Sequence, residues 1–145
     1  MTPKTNYTFM QAFFRLNSGI SRIPTFWYWF IQGLVVLNGI IPLFFIRQPV
    51  ARWVLFSFLG GVILMTWLTK QFDFSRILGL AHVAWIPGYV MTWLAFGGYP
   101  AGSAIGIWVL VLLVINTITL IFDAWDVIRW MQGDRAVHAE NLDEP

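Results

Sequence analysis

Residues 104–130, AIGIWVLVLLVINTITLIFDAWDVIRW, most restrict what this chain can become. A helix needs roughly 20 mainly apolar residues to cross a bilayer, and this run supplies them. It also carries Asn116, Thr119, Asp123 and Asp126. At about 100° per residue these four fall within roughly one quadrant of a helix. A stripe ending in two carboxylates is costly against lipid: an Asp at mid-bilayer costs on the order of 2.5–3.5 kcal/mol, and less toward the interface. The stripe is therefore expected to face other helices.

Three more apolar runs precede it. With 58% hydrophobic and 11% charged residues, the 145-residue chain has too little charge to cover a soluble surface, and its mean hydropathy is +0.67. The pattern predicts an all-α integral membrane four-helix bundle, up-down-up-down, preceded by a short N-terminal amphipathic interfacial helix. It divides the chain into an interfacial segment at 1–24, a bundle at 25–130 with spans near 25–46, 51–69, 76–96 and 104–130, and a polar tail at 131–145. The net charge is +2, and no Lys/Arg cluster suits a phosphate backbone, so no nucleic-acid partner is expected. The absence of cysteine rules out thiol chemistry and thiolate metal sites in this chain. No signal peptide is read, since no short apolar run with a cleavage site precedes Thr25.

Taken in order, Thr8 and Gln11 have capping-box spacing. Phe9, Met10, Phe13, Phe14 and Leu16 then suit a helix lying on the membrane or a stub packed on the bundle, broken at Asn17, Ser18 and Gly19. Phe26, Trp27, Tyr28 and Trp29 form an aromatic belt opening the first span. Pro42 should kink that span and free the Asn38 carbonyl. In the second span Ser57, Gly60 and Gly61 give a small-residue face for close helix approach, either within the bundle or in self-association. Asp73 or Ser75 is placed to cap the third span. Ignoring the kink at Pro87, His82, Trp85, Tyr89, Thr92 and Trp93 share one face of that span. Gly133 should end the fourth.

With four spans the termini share a side. Lys4, Arg15, Arg22, Lys70, Arg76, Arg129 and Arg135 fall there, against Arg47 and Arg52 on the other. The positive-inside rule then makes both termini cytoplasmic.

Asp123 and His82 fall at similar depth on spans joined by a short loop, so they are expected to meet. Asp126, one turn nearer the cytoplasm, is within reach of Arg76, Lys70 or Arg129. Asp123, Asp126, His82, Arg76 and Asn116 thus form either a proton or cation site or an ion-paired rim that fixes helix register. One His with two carboxylates is a conceivable metal set, but no closely spaced ligand motif supports it, and no metal is expected. No cofactor is expected either: the core lacks a second histidine for haem, His138 lying in the tail, and there is no Gly-rich phosphate loop. No activated nucleophile is evident. Asn38, Gln32, Trp85, Tyr89 and Trp93, with Asn116, could line a pocket for a flat amphipathic ligand such as a quinone or lipid, or simply hydrogen-bond between helices.

The runs Arg76-Ile77-Leu78-Gly79-Leu80-Ala81-His82-Val83-Ala84-Trp85-Ile86-Pro87 and Asn116 with Asp123-Ala124-Trp125-Asp126-Val127-Ile128-Arg129 together resemble uncharacterised small four-span proteins of bacterial inner membranes. The resemblance covers mainly the third and fourth spans. It implies location in a bacterial inner membrane and no particular activity. The first-span Glu of small multidrug exporters is missing. The function read from the sequence is a non-enzymatic accessory protein that binds partners or lipid. The partners expected are the bilayer and other membrane subunits or a second copy meeting Ser57, Gly60 and Gly61. The alternative is an oligomeric ion- or proton-coupled carrier using Asp123 and His82, and more remotely a quinone-binding subunit of a redox complex.

Overall fold

A computed structural model describes residues 6–135. Lys4, His138 and most of the polar tail fall outside the described residues. Within them the chain forms five helices: α1 (Phe9–Ser21), α2 (Thr25–Phe44), α3 (Pro49–Phe72), α4 (Arg76–Ala95) and α5 (Ala104–Met131). The last four are long and apolar enough to cross a membrane.

The N-terminal cap forms as its spacing predicts. Gln11 N–H donates to Thr8 Oγ1 at 3.2 Å, and Thr8 N–H donates to Gln11 Oε1 at 2.8 Å. The expected break at 17–19 does not occur. Asn17 Nδ2 donates back to the Phe13 carbonyl and Ser21 Oγ to that of Ser18. Gly19 stays helical, and the Phe74 ring lies where its Cβ would be, so a larger residue would not fit there. Ala12, Leu16 and Gly19 are buried, with α1 packed on α3, while Phe9, Met10 and Phe14 face outward. The helix is thus both packed on the bundle and apolar on its outer face.

In α2 the disturbance at Pro42 spreads upstream. Residues Val36–Ile40 form a π-turn, and Ile41 N–H donates to the Val36 carbonyl five residues back. This widening accommodates the missing donor of Pro42. The first half, Thr25–Val35, buries only Leu34. Its Phe26 and Trp29 project outward, and Trp27 meets Phe122 of α5 edge-on, ring centroids 5.3 Å apart.

Helix α3 is central, packing against α1, α2 and α4. One apolar cluster joins Val50, Ala51 and Val54 to Trp108, Val109, Leu112 and Leu113 of α5. A second joins Leu68 to Leu16, Leu78 and Ala81 at the other end of α3. The small residues of α3 are used inside the chain. Ser57 Oγ accepts the Gly88 N–H at 2.8 Å, Gly60 lies against Ala84, and a Cβ at Gly61 would overlap the Trp85 indole. Rising numbers on α3 therefore meet falling numbers on α4.

The largest departure from expectation lies in α4. Its first half, Arg76–Trp85, is a ten-residue 3₁₀ helix, and only Ile86–Ala95 is α-helical. Ser75 takes the N-cap position of α4 and its carbonyl accepts the Leu78 N–H at 3.0 Å, but its side chain makes no capping bond. Asp73 instead accepts from Arg15 and from the Phe74 N–H. Within the α-helical half Trp93 keeps an edge-on ring contact with Tyr89, centroids 6.4 Å apart, but it is 54% exposed, whereas Thr92 is fully buried.

Candidate functional site

The stripe on α5 faces inward. Asn116 and Thr119 are buried, Thr119 Oγ1 donating to the Ile115 carbonyl. At mid-helix Asn116 meets Asn38 in a reciprocal amide pair. Asn116 Nδ2 donates to Asn38 Oδ1 at 2.9 Å, and Asn38 Nδ2 donates to Asn116 Oδ1 at 3.2 Å. Asn38 Nδ2 also donates to the Leu34 carbonyl, at 3.1 Å. Two amides can satisfy each other this way because each offers both a donor and an acceptor. Beside them Tyr89 Oη and Thr117 Oγ1 lie 2.6 Å apart. Asn38, Asn116, Ser57, Trp85, Gly88 and Tyr89 line one narrow cleft that has no room for a water molecule. Gln32 and Trp93 do not line it.

Toward the end of α5 the stripe becomes charged. His82 Nδ1 and Asp123 Oδ2 are 2.7 Å apart, with side chains 12% and 18% exposed. The distance is that of an ion pair or a short hydrogen bond. The His82 ring stands edge-on to Trp85, centroids 4.2 Å apart. One turn further out Arg76 Nη1 donates to Asp126 Oδ1 at 2.6 Å. Of the cations considered for Asp126, Arg76 makes the ion pair. Arg129 instead bonds Asp134 at 2.5 Å, and Arg76 Nε approaches Asp134 at 3.5 Å. The Arg76 backbone N–H also donates to the Arg135 carbonyl, and Arg135 lies over Trp130, 5.1 Å from the ring centroid. The rim is thus a chain of alternating charges that ties the start of α4 to the end of α5.

A separate pair joins α1 to the α3–α4 turn. Arg15 Nε donates to Asp73 Oδ1 at 2.8 Å and Arg15 Nη2 to Oδ2 at 3.2 Å, a two-point contact. Partial burial pushes the Asp73 carboxyl up, but the Arg15 guanidinium and the Phe74 amide outweigh it and hold the group below its ordinary value. Asp73 sits at φ +57°, rare for a residue with a side chain. Where α1 meets α2, a hollow of about 260 Å³ is lined by Ser21, Ile23, Thr25 and Tyr28, three of them carrying hydroxyls.

Among the described residues no group of three His, Asp or Glu side chains gathers as a metal site would require. The chemistry this arrangement offers is the holding or passing of a proton between His82 and Asp123. The sequence reading missed Gly79. A Cβ there would lie 3.0–3.2 Å from Asp123 backbone and Cβ atoms, so its bare Cα lets α4 approach α5 where the charges meet. The signal was present in the spacing of Arg76, Gly79, His82 and Trp85, three apart throughout. Asp134 was missed because it follows the helix end that the sequence pattern marks. No protein-family model, curated protein or solved structure matches this chain.

Proposed function

We propose that the chain is a multi-pass protein of a bacterial inner membrane, an up-down-up-down bundle with both termini cytoplasmic, acting as a non-enzymatic accessory protein that binds lipid or membrane partners. The observation carrying this reading is the closure of the polar stripe. Asn116 is paired with Asn38, Thr117 with Tyr89, Asp123 with His82 and Asp126 with Arg76, and the cleft between the helices has no room for water. A stripe closed in this way holds helices in register rather than leading a solute across.

The outer surface supports the membrane placement. Phe26, Phe44, Leu94 and many other large apolar side chains face away from the bundle, more than a soluble monomer leaves in contiguous patches. The contacts of α3 with α4 run in opposite senses, and the charge bias places Arg15, Arg22, Lys70, Arg76, Arg129 and Arg135 on one side. The hydroxyl-lined hollow of Ser21, Thr25 and Tyr28 then falls at the cytoplasmic interface, beside the outward rings of Phe26 and Trp29. That is where a phospholipid headgroup meets its acyl chains.

A second reading, a proton-coupled carrier, is favoured by the shielded His82–Asp123 contact. Purified protein in liposomes under a pH gradient separates the two. The accessory reading expects proton flux equal to that of empty vesicles, for the native chain and for Asp123→Asn alike. Flux above that level which Asp123→Asn removes would overturn it in favour of the carrier. Native mass spectrometry of gently extracted protein should then retain lipid or a second polypeptide, and a bare chain would refute the binding role. A C-terminal reporter active only outside the cytoplasm would refute the orientation.

A further inference from the structure

The 3₁₀ segment of α4 has one face for each neighbour. With three residues per turn, positions three apart stack in rows. Arg76, Gly79 and His82 make the row against α5, meeting Asp126, the Asp123 backbone and the Asp123 carboxylate in turn. Trp85 continues that row from His82 toward Gly61. Leu78, Ala81 and Ala84 make the row against α1 and α3. Leu80, Val83 and Ile86 make the outer row, all exposed, though Ile77, which begins it, is buried. In an α-helix, at about 100° per residue, Arg76 and Trp85 would stand roughly 180° apart, and the first row would not exist.

Two features hold this winding in place. Pro87 has no N–H, so an α-helix through it strips the Val83 carbonyl of its partner. In the 3₁₀ form Ile86 N–H donates to that carbonyl instead. The second is the pair of carboxylates on α5, which only an aligned Arg76 and His82 can reach together. Against them stands the poorer hydrogen-bond geometry of 3₁₀ winding, which rarely persists beyond 3–4 residues. Each form satisfies groups the other leaves wanting.

We propose that Arg76–Trp85 is a two-state element, held as a 3₁₀ helix by the Asp123 and Asp126 carboxylates and rewinding into a proline-kinked α-helix when Asp123 loses its charge. Rewinding the six steps from Leu80 to Ile86 shortens them by about 3 Å and turns Leu80 by roughly 120° relative to Ile86. Leu80 leaves the outer face, Val83 stays on it, and Gly79 and His82 turn toward it. The surface offered to a lipid or a partner helix changes accordingly. This inference is independent of what the protein binds.

The chain has no cysteine, so single nitroxide labels can be attached at Leu80→Cys, Val83→Cys and Leu94→Cys in bilayers. Their collision rates with dissolved oxygen report lipid exposure. In the native background all three labels should be accessible. Adding Asp123→Asn, or separately His82→Gln, should lower the Leu80 rate severalfold while Val83 and Leu94 hold theirs. Asp73→Asn, which breaks only the Arg15 pair, should change none of them. A Leu80 label already shielded in the native background would overturn the proposal. So would an unchanged Leu80 rate in whichever of the two variants keeps the Leu94 rate, or a Leu80 loss that Asp73→Asn reproduces.

Discussion

The reciprocal Asn38–Asn116 pair makes a quantitative prediction. Both side chains are 2% exposed, so water does not compensate a lost partner. Asn116→Leu keeps the volume roughly constant, deletes both interhelical bonds and leaves Asn38 Oδ1 without a donor, while Asn38 Nδ2 keeps the Leu34 carbonyl. Interhelical hydrogen bonds in membranes are worth about 0.6 kcal/mol on average and about 1.7 at most. A buried group left unsatisfied costs about 1–3 kcal/mol, partly the same energy counted again. Each single substitution should therefore destabilise by about 2 kcal/mol. The double variant Asn38→Leu/Asn116→Leu leaves no orphan amide and should cost less than either single, so the coupling between the sites is about 2 kcal/mol or more. Reversible unfolding by SDS titration in mixed micelles measures all three differences. If the two single effects sum to the double within about 0.5 kcal/mol, the amides do not bond each other, and the placement of α2 against α5 is wrong.

Other expected outcomes follow from local geometry. Because Asp73 has its folded-state carboxyl held below the unfolded value, its pairing stabilises the protein above pH ~4 and loses that contribution as pH falls through the folded value. Asp73→Asn should cost about 0.5–1 kcal/mol at neutral pH, given the exposure of the pair, and flatten the acid side of a stability–pH curve; an unchanged curve would refute the Arg15 contact. Gly88→Leu should destabilise by about 1–3 kcal/mol or more, because even a Cβ there would lie 2.9–3.0 Å from Ser57 and Val54 atoms. Gly33→Ala should be neutral or stabilising by up to about 1 kcal/mol, since no atom lies within 4 Å of its added Cβ. Thermal unfolding in detergent that ranks these two the other way round would contradict the packing of α3 on α4.

Apolar run length made the four long helices legible, because the only requirement is enough consecutive side chains that avoid water. The inward stripe of α5 was legible too, because an α-helix fixes which of its residues share a face, and Asp123 could be set opposite His82 because the two lie at similar depth on spans joined by a short loop. What escaped were places where a neighbour overrides local preference. Gly19 reads as a helix breaker, yet Phe74 lies against its bare Cα and the helix runs on to Ser21. Asp73 reads as a cap for α4, yet Arg15, 58 residues earlier, claims its carboxylate and the backbone turns through positive φ. Ser57, Gly60 and Gly61 mark a face where a backbone comes close. The spacing could not say that the approaching backbone is the chain's own α4.

The winding of α4 shows why such a face is harder to read than a span. An apolar run of 20 residues looks the same in either helical form, because lipid asks only for satisfied backbone groups and apolar side chains. The choice is decided by the few polar residues that must find partners. Arg76 and His82 lie six apart and the carboxylates opposite them three apart. Two full 3₁₀ turns return His82 to the azimuth of Arg76, whereas six α-helical steps leave it about 120° short of a whole rotation. Asp123 and Asp126, by contrast, sit only about 60° apart on an α-helix and can serve one partner row. In azimuth the two rows face each other when α4 is wound at three residues per turn and α5 at 3.6; along the axis Arg76 and His82 are about 12 Å apart against about 4.5 Å for the two carboxylates, a difference left to the long Arg76 side chain.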